Sequence, residues 1–269
     1  MAEKVNLYTE FIETFDLQED DVIFMSSDIT NLAKYFKEKL VAFDVNTFVE
    51  ILQLKLKNGT LIFPAYTDKL RHGDIFDYKK AKPTTGALSN RIGRRKDFVR
   101  SFDPLHSVYT WGKKADEIVK LKDESSFGEN SIFGFLAREN AKFIFIDVDL
   151  QNSFTFIHYL EEKLKISYRK YYSMNIQLKN GDTLKDEAIQ FHTKKMGVCT
   201  QLYPLQDYLI RKGFLEEKLN FNAKVHLSNA NEMTKGVHAF LSSGGKMYTF
   251  DFKLFAKQFV KRILGKRYF

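Results

Sequence analysis

Ala141-Lys142-Phe143-Ile144-Phe145-Ile146-Asp147-Val148 is an almost unbroken apolar run of strand length. It lacks the alternation of a half-wet strand, so it suits a strand covered on both faces, the kind that parallel sheets bury between helices. Two runs upstream have the same character, Asp21 to Ser27 and Thr60 to Tyr66, the second stopped by Pro64. Between them, residues 29–39 and 45–57 carry helical periodicity (Phe48, Ile51, Leu52), and Asn58-Gly59 closes the second helix. Helices are also expected at 8–16, 86–95, 113–121, 155–164, 184–197 and 203–212. Strands are expected at 107–111, 166–174, 224–227 and 246–252, with a hairpin turn at Asn180-Gly181 and a polar loop over 68–85. Strands alternating with helices argue for one α/β layered domain over 1–269.

Composition narrows the function. With 269 residues, 44% hydrophobic, 26 Phe and 13 Tyr, the chain has the material for a large core and is not a disordered chain. No apolar run approaches the roughly 20 residues of a membrane span. The opening Met1-Ala2-Glu3-Lys4 lacks the layout of a signal peptide, and the lone Cys199 can form no internal disulfide. A cytoplasmic protein is the expectation. The net charge of +8 is unevenly spread: eight acids crowd the first 30 residues, eight bases crowd 79–100, and the last 17 residues hold six bases and no acid. A cationic cluster at 79–100 suits a phosphate group as well as it suits a solvated face. From about 253 to 269 the chain reads as a basic amphipathic helix, with Phe252, Phe255, Phe259 and Ile263 in one row and Lys253, Lys257 and Lys261 in another. Either the apolar row packs on the domain, or the helix makes a weak contact with an anionic membrane surface.

Chemistry is suggested at Thr155, His158 and Glu161, three apart just beyond the 141–148 strand. On a helix that spacing puts hydroxyl, imidazole and carboxylate on one face. Imidazole takes a proton near neutrality, and a neighbouring carboxylate fixes its tautomer. A second candidate is Asp103-Pro104-Leu105-His106-Ser107-Val108, where His106 precedes a strand. The six histidines show no metal-ligand spacing, so no metal is expected.

From Asn58 to Glu162 the sequence resembles the aminoglycoside N-acetyltransferase family, motif after motif and in order. Gly59-Thr60-Leu61-Ile62-Phe63-Pro64-Ala65-Tyr66-Thr67 is similar to the family's GTLVMPTFT strand. Pro83-Thr84-Thr85-Gly86-Ala87-Leu88-Ser89 resembles P-x-x-T-G-x-L-S, and Arg100 to Val108 resembles RS-x-HP-x-HS-V. Ser126-Phe127-Gly128-Glu129-Asn130-Ser131-Ile132-Phe133 resembles PFG-x-xSPF, and Thr155 to Glu161 matches T-x-x-H-x-x-E. Met25-Ser26-Ser27-Asp28 is similar to the family's HSSL turn but lacks its histidine and leucine. Asp103 stands where the family has the first histidine of HP-x-H, and Asp147 stands near a usual glycine.

The resemblance implies an α/β/α domain with a central mixed sheet, an acetyl-CoA donor and direct transfer to an amine. It implies His158 as general base, Glu161 as its orienting partner and Thr155 as support of the helix start. Ser26, Ser27, Thr85, Arg91, His106, Ser107 and Val108 would contact coenzyme A, with Ser26, Ser27, Ser107 and Val108 along the pantetheine arm and the basic run 79–100 facing the phosphates. Three readings remain: an N-acetyltransferase of an amino sugar in glycan or surface-polysaccharide assembly, nucleotide-linked sugars included; an aminoglycoside-resistance enzyme; or a non-enzymatic nucleic-acid binder. A pI of about 9.2 favours a neutral or anionic acceptor over a polycation, while the N-terminal acids keep the second reading open. Basic residues without aromatic interleaving speak against nucleic acid.

Overall fold

Period-two side-chain direction decides the layers. In the computed structural model, which describes residues 2–67 and 70–264, Phe143 and Phe145 point to one face of a sheet and Ile144 and Ile146 to the other. Val22 and Phe24 against Ile23 and Met25 repeat the pattern one strand away. Each face of such a strand is apolar, so helices cover both.

In chain order the first half comprises α1 (Ala2–Glu13), β1 (Val22–Ser27), α2 (Thr30–Glu38), α3 (Val45–Lys55), β2 (Thr60–Pro64), β3 (Ile75–Asp77), α4 (Ala87–Ile92), β4 (Val99–Arg100), β5 (Val108–Gly112), α5 (Ala115–Lys120) and α6 (Ile132–Arg138). The second half comprises β6 (Lys142–Ile146), α7 (Leu150–Ser153), α8 (Ile157–Lys163), β7 (Arg169–Asn180), β8 (Thr183–Lys194), β9 (Val198–Thr200), α9 (Tyr203–Arg211), β10 (Glu216–Asn220), β11 (Ala223–Asn229), α10 (Ala230–Ser242), β12 (Tyr248–Phe250) and α11 (Phe252–Ile263). Seven strands form the central sheet in the order β10-β11-β6-β1-β2-β5-β4. The β6-β1-β2 core is parallel and the flanking pairs are antiparallel, so the sheet is mixed. One apolar cluster joins the sheet to α1–α4, and another joins it to α6–α10, giving the α/β/α layering. Gly112 shows how tightly β5 closes on the sheet: its φ is +106°, and a Cβ there would meet the Gly59 carbonyl oxygen at 2.2 Å.

The stretch 184–197, expected as a helix, is the strand β8 instead. Eleven of its residues, 184–194, pair antiparallel with β7 across a two-residue turn, Gly181-Asp182, in which Gly181 takes φ +62°. Leu184, Ala188 and Phe191 carry helix-like spacing, but the ladder with β7 overrides it. The polar loop 68–85 contains β3, which docks parallel on β7 to make a three-stranded sheet outside the central one. Helices α6, α7 and α10 and strands β4, β9 and β10 have no counterpart in the sequence reading. Asp147 adopts φ +50°, the conformation that makes glycine suitable there, and its Oδ1 accepts the Lys224 N–H at 2.8 Å.

The C-terminal helix packs on the protein through only part of its apolar row. Its contacts to the rest of the chain run through Leu254, Phe255 and Gln258, whose Oε1 accepts the Gly197 N–H at 2.7 Å. Phe252, Phe259 and Ile263 stay exposed, at 73%, 45% and 69%. Of the apolar row only Phe255 therefore packs on the protein, against Gly197 and Phe250, and residues 265–269 lie outside the described residues. Among the described residues no helix is long and apolar enough to cross a membrane.

Candidate active site

A cavity of about 1060 Å³ opens beyond the C-terminal ends of β1, β2 and β6, where α/β sheets present loops to ligands. Its floor includes Tyr66, Thr84, Thr85, His106, Thr155 and His158; the hairpin β7–β8 and α11 supply the roof.

His158 sits on the first turn of α8. Its Nδ1 lies 2.7 Å from Glu161 Oε2, one helical turn on, as the i,i+3 spacing requires. Glu161 has no solvent exposure, and a buried carboxylate is tolerable only with several partners. It has three: His158, the Tyr168 hydroxyl, which donates to Oε1, and Arg169, whose Nε is 2.5 Å from Oε2. Burial alone would raise the Glu161 carboxyl, but His158, Arg169 and Tyr168 outweigh it and hold it below its usual value. Nδ1 faces both the Glu161 carboxylate, which can only accept, and Arg169 Nη2, 2.8 Å away, which can only donate, so the tautomer follows whichever of the two it bonds. Burial, and then the Arg169 charge, keep His158 below the ordinary imidazole value against the pull of Glu161. The ring is thus held neutral at neutral pH.

Arg169, absent from the sequence reading, is the keystone of this cluster. It opens β7 at 8% exposure, donates from Nη1 to the His192 carbonyl at 2.9 Å and lies 2.8 Å from His158 Nδ1 through Nη2. The one local signal is the Tyr168-Arg169 pair, a base among aromatics on the element after His158. His192, also on the cavity wall, is pushed down to about 4 by burial and by Arg169.

The remaining expected residues divide. Thr155 lies in the turn before α8 rather than on the helix, because the helix begins at Ile157, yet it still reaches the cavity. Its carbonyl accepts the His158 N–H at 3.0 Å and so fixes the entry to the helix. Thr85 donates to the Pro64 carbonyl at 2.7 Å, and His106 packs its ring against Phe127 at 4.7 Å. Ser26 and Ser27 end β1 beside the Thr85-Gly86 turn, outside the cavity lining. Arg91 lines a separate cavity of about 580 Å³ with Arg94 and Arg95; its Ala87 follows Thr85 of the first cavity by two residues, and the two linings share no residue. Ser107 and Val108 are fully buried. The Ser107 hydroxyl donates to the Ala65 carbonyl and accepts from Arg100 Nε, and the Val108 N–H donates to Ser101 Oγ. Asp103, in place of a histidine, accepts the N–H groups of Leu105 and His106 at 2.8 and 2.7 Å and so shapes the turn beneath the cavity. Cys199 is half-buried on β9, between the cavity-lining Val198 and Thr200. Among the described residues no group of histidine, cysteine and acids could hold a metal ion.

The sequence model of a family described as aminoglycoside 3-N-acetyltransferase matches residues 36–242. Among solved structures, AAC-IIIb in binary complex with CoASH superposes with a TM-score of 0.76 at 15% identity, covering 93% of this chain and 98% of that one. AAC-VIa bound to sisomicin gives 0.74 at 13% identity, covering 90% and 98%. The YokD protein from Bacillus subtilis gives 0.72 at 14%, covering 88% and 98%. No curated protein matches by sequence. At these identities the structural likeness speaks for the fold.

Proposed function

The chain belongs to the aminoglycoside 3-N-acetyltransferase family, whose members are acyltransferases that use acetyl-CoA, and from that premise we propose that it acetylates an amine of an amino sugar. The observation that carries the reading is the His158–Glu161 pair on the cavity wall. In the proposed step His158 Nε2 takes the proton of the acceptor amine as its nitrogen attacks the thioester carbonyl. The new C–N bond forms, the C–S bond breaks, and the thiolate of coenzyme A leaves to be protonated by the imidazolium. Glu161 stabilises that imidazolium, and no enzyme-bound acyl group is required. Coenzyme A would approach over Ser26, Ser27 and Thr85, with Arg91 and Arg94 facing its phosphates from the adjoining cavity.

The setting suits an amino sugar in glycan assembly better than a polycationic antibiotic. Glu13, Asp16 and Asp21, from the acidic N-terminal block, lie at the far end of the sheet, tied to Lys55 and Lys142. No Asp or Glu lines the cavity among the described residues. A nucleic-acid role is weakened because the 79–100 bases do not form one stripe. Arg95 pairs with Asp97, and Arg100 is drawn inward by Ser107, Ala65 and Thr67. For the outward row of α11 we propose contact with an anionic membrane surface, since exposed Phe252, Phe259 and Ile263 are flanked by Lys253, Lys257 and Arg262.

Calorimetry with coenzyme A, followed by release of free thiol from acetyl-CoA in the presence of amino sugars, tests the main reading. His158→Ala should lower kcat about 10²- to 10⁴-fold with coenzyme A affinity nearly intact. Absence of coenzyme A binding at millimolar concentration would sink the reading, and unchanged turnover would move the base elsewhere, His106 first.

A further inference from the structure

Four cationic side chains reach the wall of the main cavity: Arg71, Arg169, Lys194 and Lys261. Arg169 is matched by Glu161. The other three are not matched: no ion pair among the described residues involves Arg71, Lys194 or Lys261. The placement of Lys194 is costly in itself. It is the register partner of Arg169 across the β7–β8 ladder, and like charges directly opposite on a ladder repel. Burial, and then Arg169, depress the Lys194 ammonium. Opposite it stands α11, whose Leu254, Gln258 and Lys261 face share the cavity. A chain that sets two lysines around a cavity with no acid on its wall has built a seat for an anion.

We propose that the acceptor is a phosphate-bearing amino sugar, its phosphate held between Lys194 and Lys261 with Arg71 at the rim. This rests on the acetyl-transfer reading and adds to it the charge class of the acceptor. On that reading the phosphates of coenzyme A have their own cations in the adjoining cavity, at Arg91 and Arg94, so those of the main cavity remain for the second substrate. The thioester must meet the amine beside His158. A seat spanning β8 and α11 then fixes the acceptor from the roof, with Thr193 and Thr200 on the same wall for sugar hydroxyls. The same field repels a polycation.

Protein saturated with coenzyme A, which blocks the cofactor's phosphate sites, is titrated calorimetrically at low salt with glucosamine, glucosamine 6-phosphate and kanamycin. Glucosamine 6-phosphate should bind at least about 10-fold more tightly than glucosamine, with the advantage shrinking as salt screens it. In the Lys194→Gln, Lys261→Gln double variant that advantage should fall below about 2-fold while coenzyme A affinity stays unchanged. Circular dichroism checks the fold of the variant. Equal binding of the two sugars, tighter binding of kanamycin, an advantage that survives the double variant, or no binding by any of the three overturns the inference and leaves acetyl transfer standing. Failure to bind coenzyme A in the first place overturns the acetyl-transfer reading instead.

Discussion

Arg169→Met removes one side chain from the centre of the His158–Glu161 cluster, and two consequences follow from the geometry. The first is stability. Glu161 is fully buried, and Arg169 Nε, 2.5 Å from its Oε2, is the only permanent charge among its three partners. Breaking a buried ion pair from one side costs about 3–5 kcal/mol, because the remaining charge stays out of water. At about 2.1 cal/mol/K of unfolding entropy per residue, a chain of this length should lose about 5–9 °C in Tm. The second is the acid limb of activity. His158 is held below its ordinary value by burial and then by Arg169, while Glu161 pulls the other way. With Arg169 gone the pull of Glu161 meets less opposition, the imidazolium gains, and the limb of kcat/KM on which His158 deprotonates moves to higher pH. Arg169→Lys keeps the charge but not the fork that reaches Glu161, His158 and the His192 carbonyl together. It should restore the limb while recovering only part of the stability. The assay is thiol release from acetyl-CoA across pH 5–9 beside a thermal melt. An acid limb in the Met variant at or below the wild-type position would refute the electrostatic role, and a melt unchanged within a degree would refute the buried pair.

His192 gives a pH dependence of stability. Its folded value of about 4 lies below the ordinary imidazole value, so the unfolded chain takes the proton first as pH falls. Stability from this residue is complete above about pH 6.5 and is lost toward pH 4, by about 3 kcal/mol. Urea unfolding of His192→Gln at pH 7 and pH 4.5 should show a correspondingly smaller loss than wild type, and equal losses would reject the assignment. For α11, flotation should recover the protein with anionic but not neutral vesicles. The Phe252→Ser, Phe259→Ser, Ile263→Ser variant should stay unbound while still binding coenzyme A, and a wild type that never floats removes the membrane contact.

What the sequence settles is what neighbouring residues settle among themselves. The run 141–148 alternates Phe and Ile on two apolar faces, so it must lie between helices. The T-x-x-H-x-x-E spacing needs only one turn of helix to bring His158 onto Glu161. Asp147 in a glycine position and Asp103 in a histidine position were visible as departures, but their roles, a left-handed residue and a cap for two N–H groups, required the backbone. Tertiary structure alone decided the rest. Residues 184–194 carry helical spacing and became a strand because a two-residue turn laid them along β7, a pairing that local periodicity does not encode. Arg169 acquired its role by closing on Glu161 and the His192 carbonyl, and Lys261 came to Lys194's cavity from 67 residues further along the chain. The sign of the charge in that cavity is a sum over segments that meet only when the chain folds. A net charge of +8 could say that bases are in excess, and only the packing of β8 and α11 around His158 put unpaired ones where the acceptor would bind.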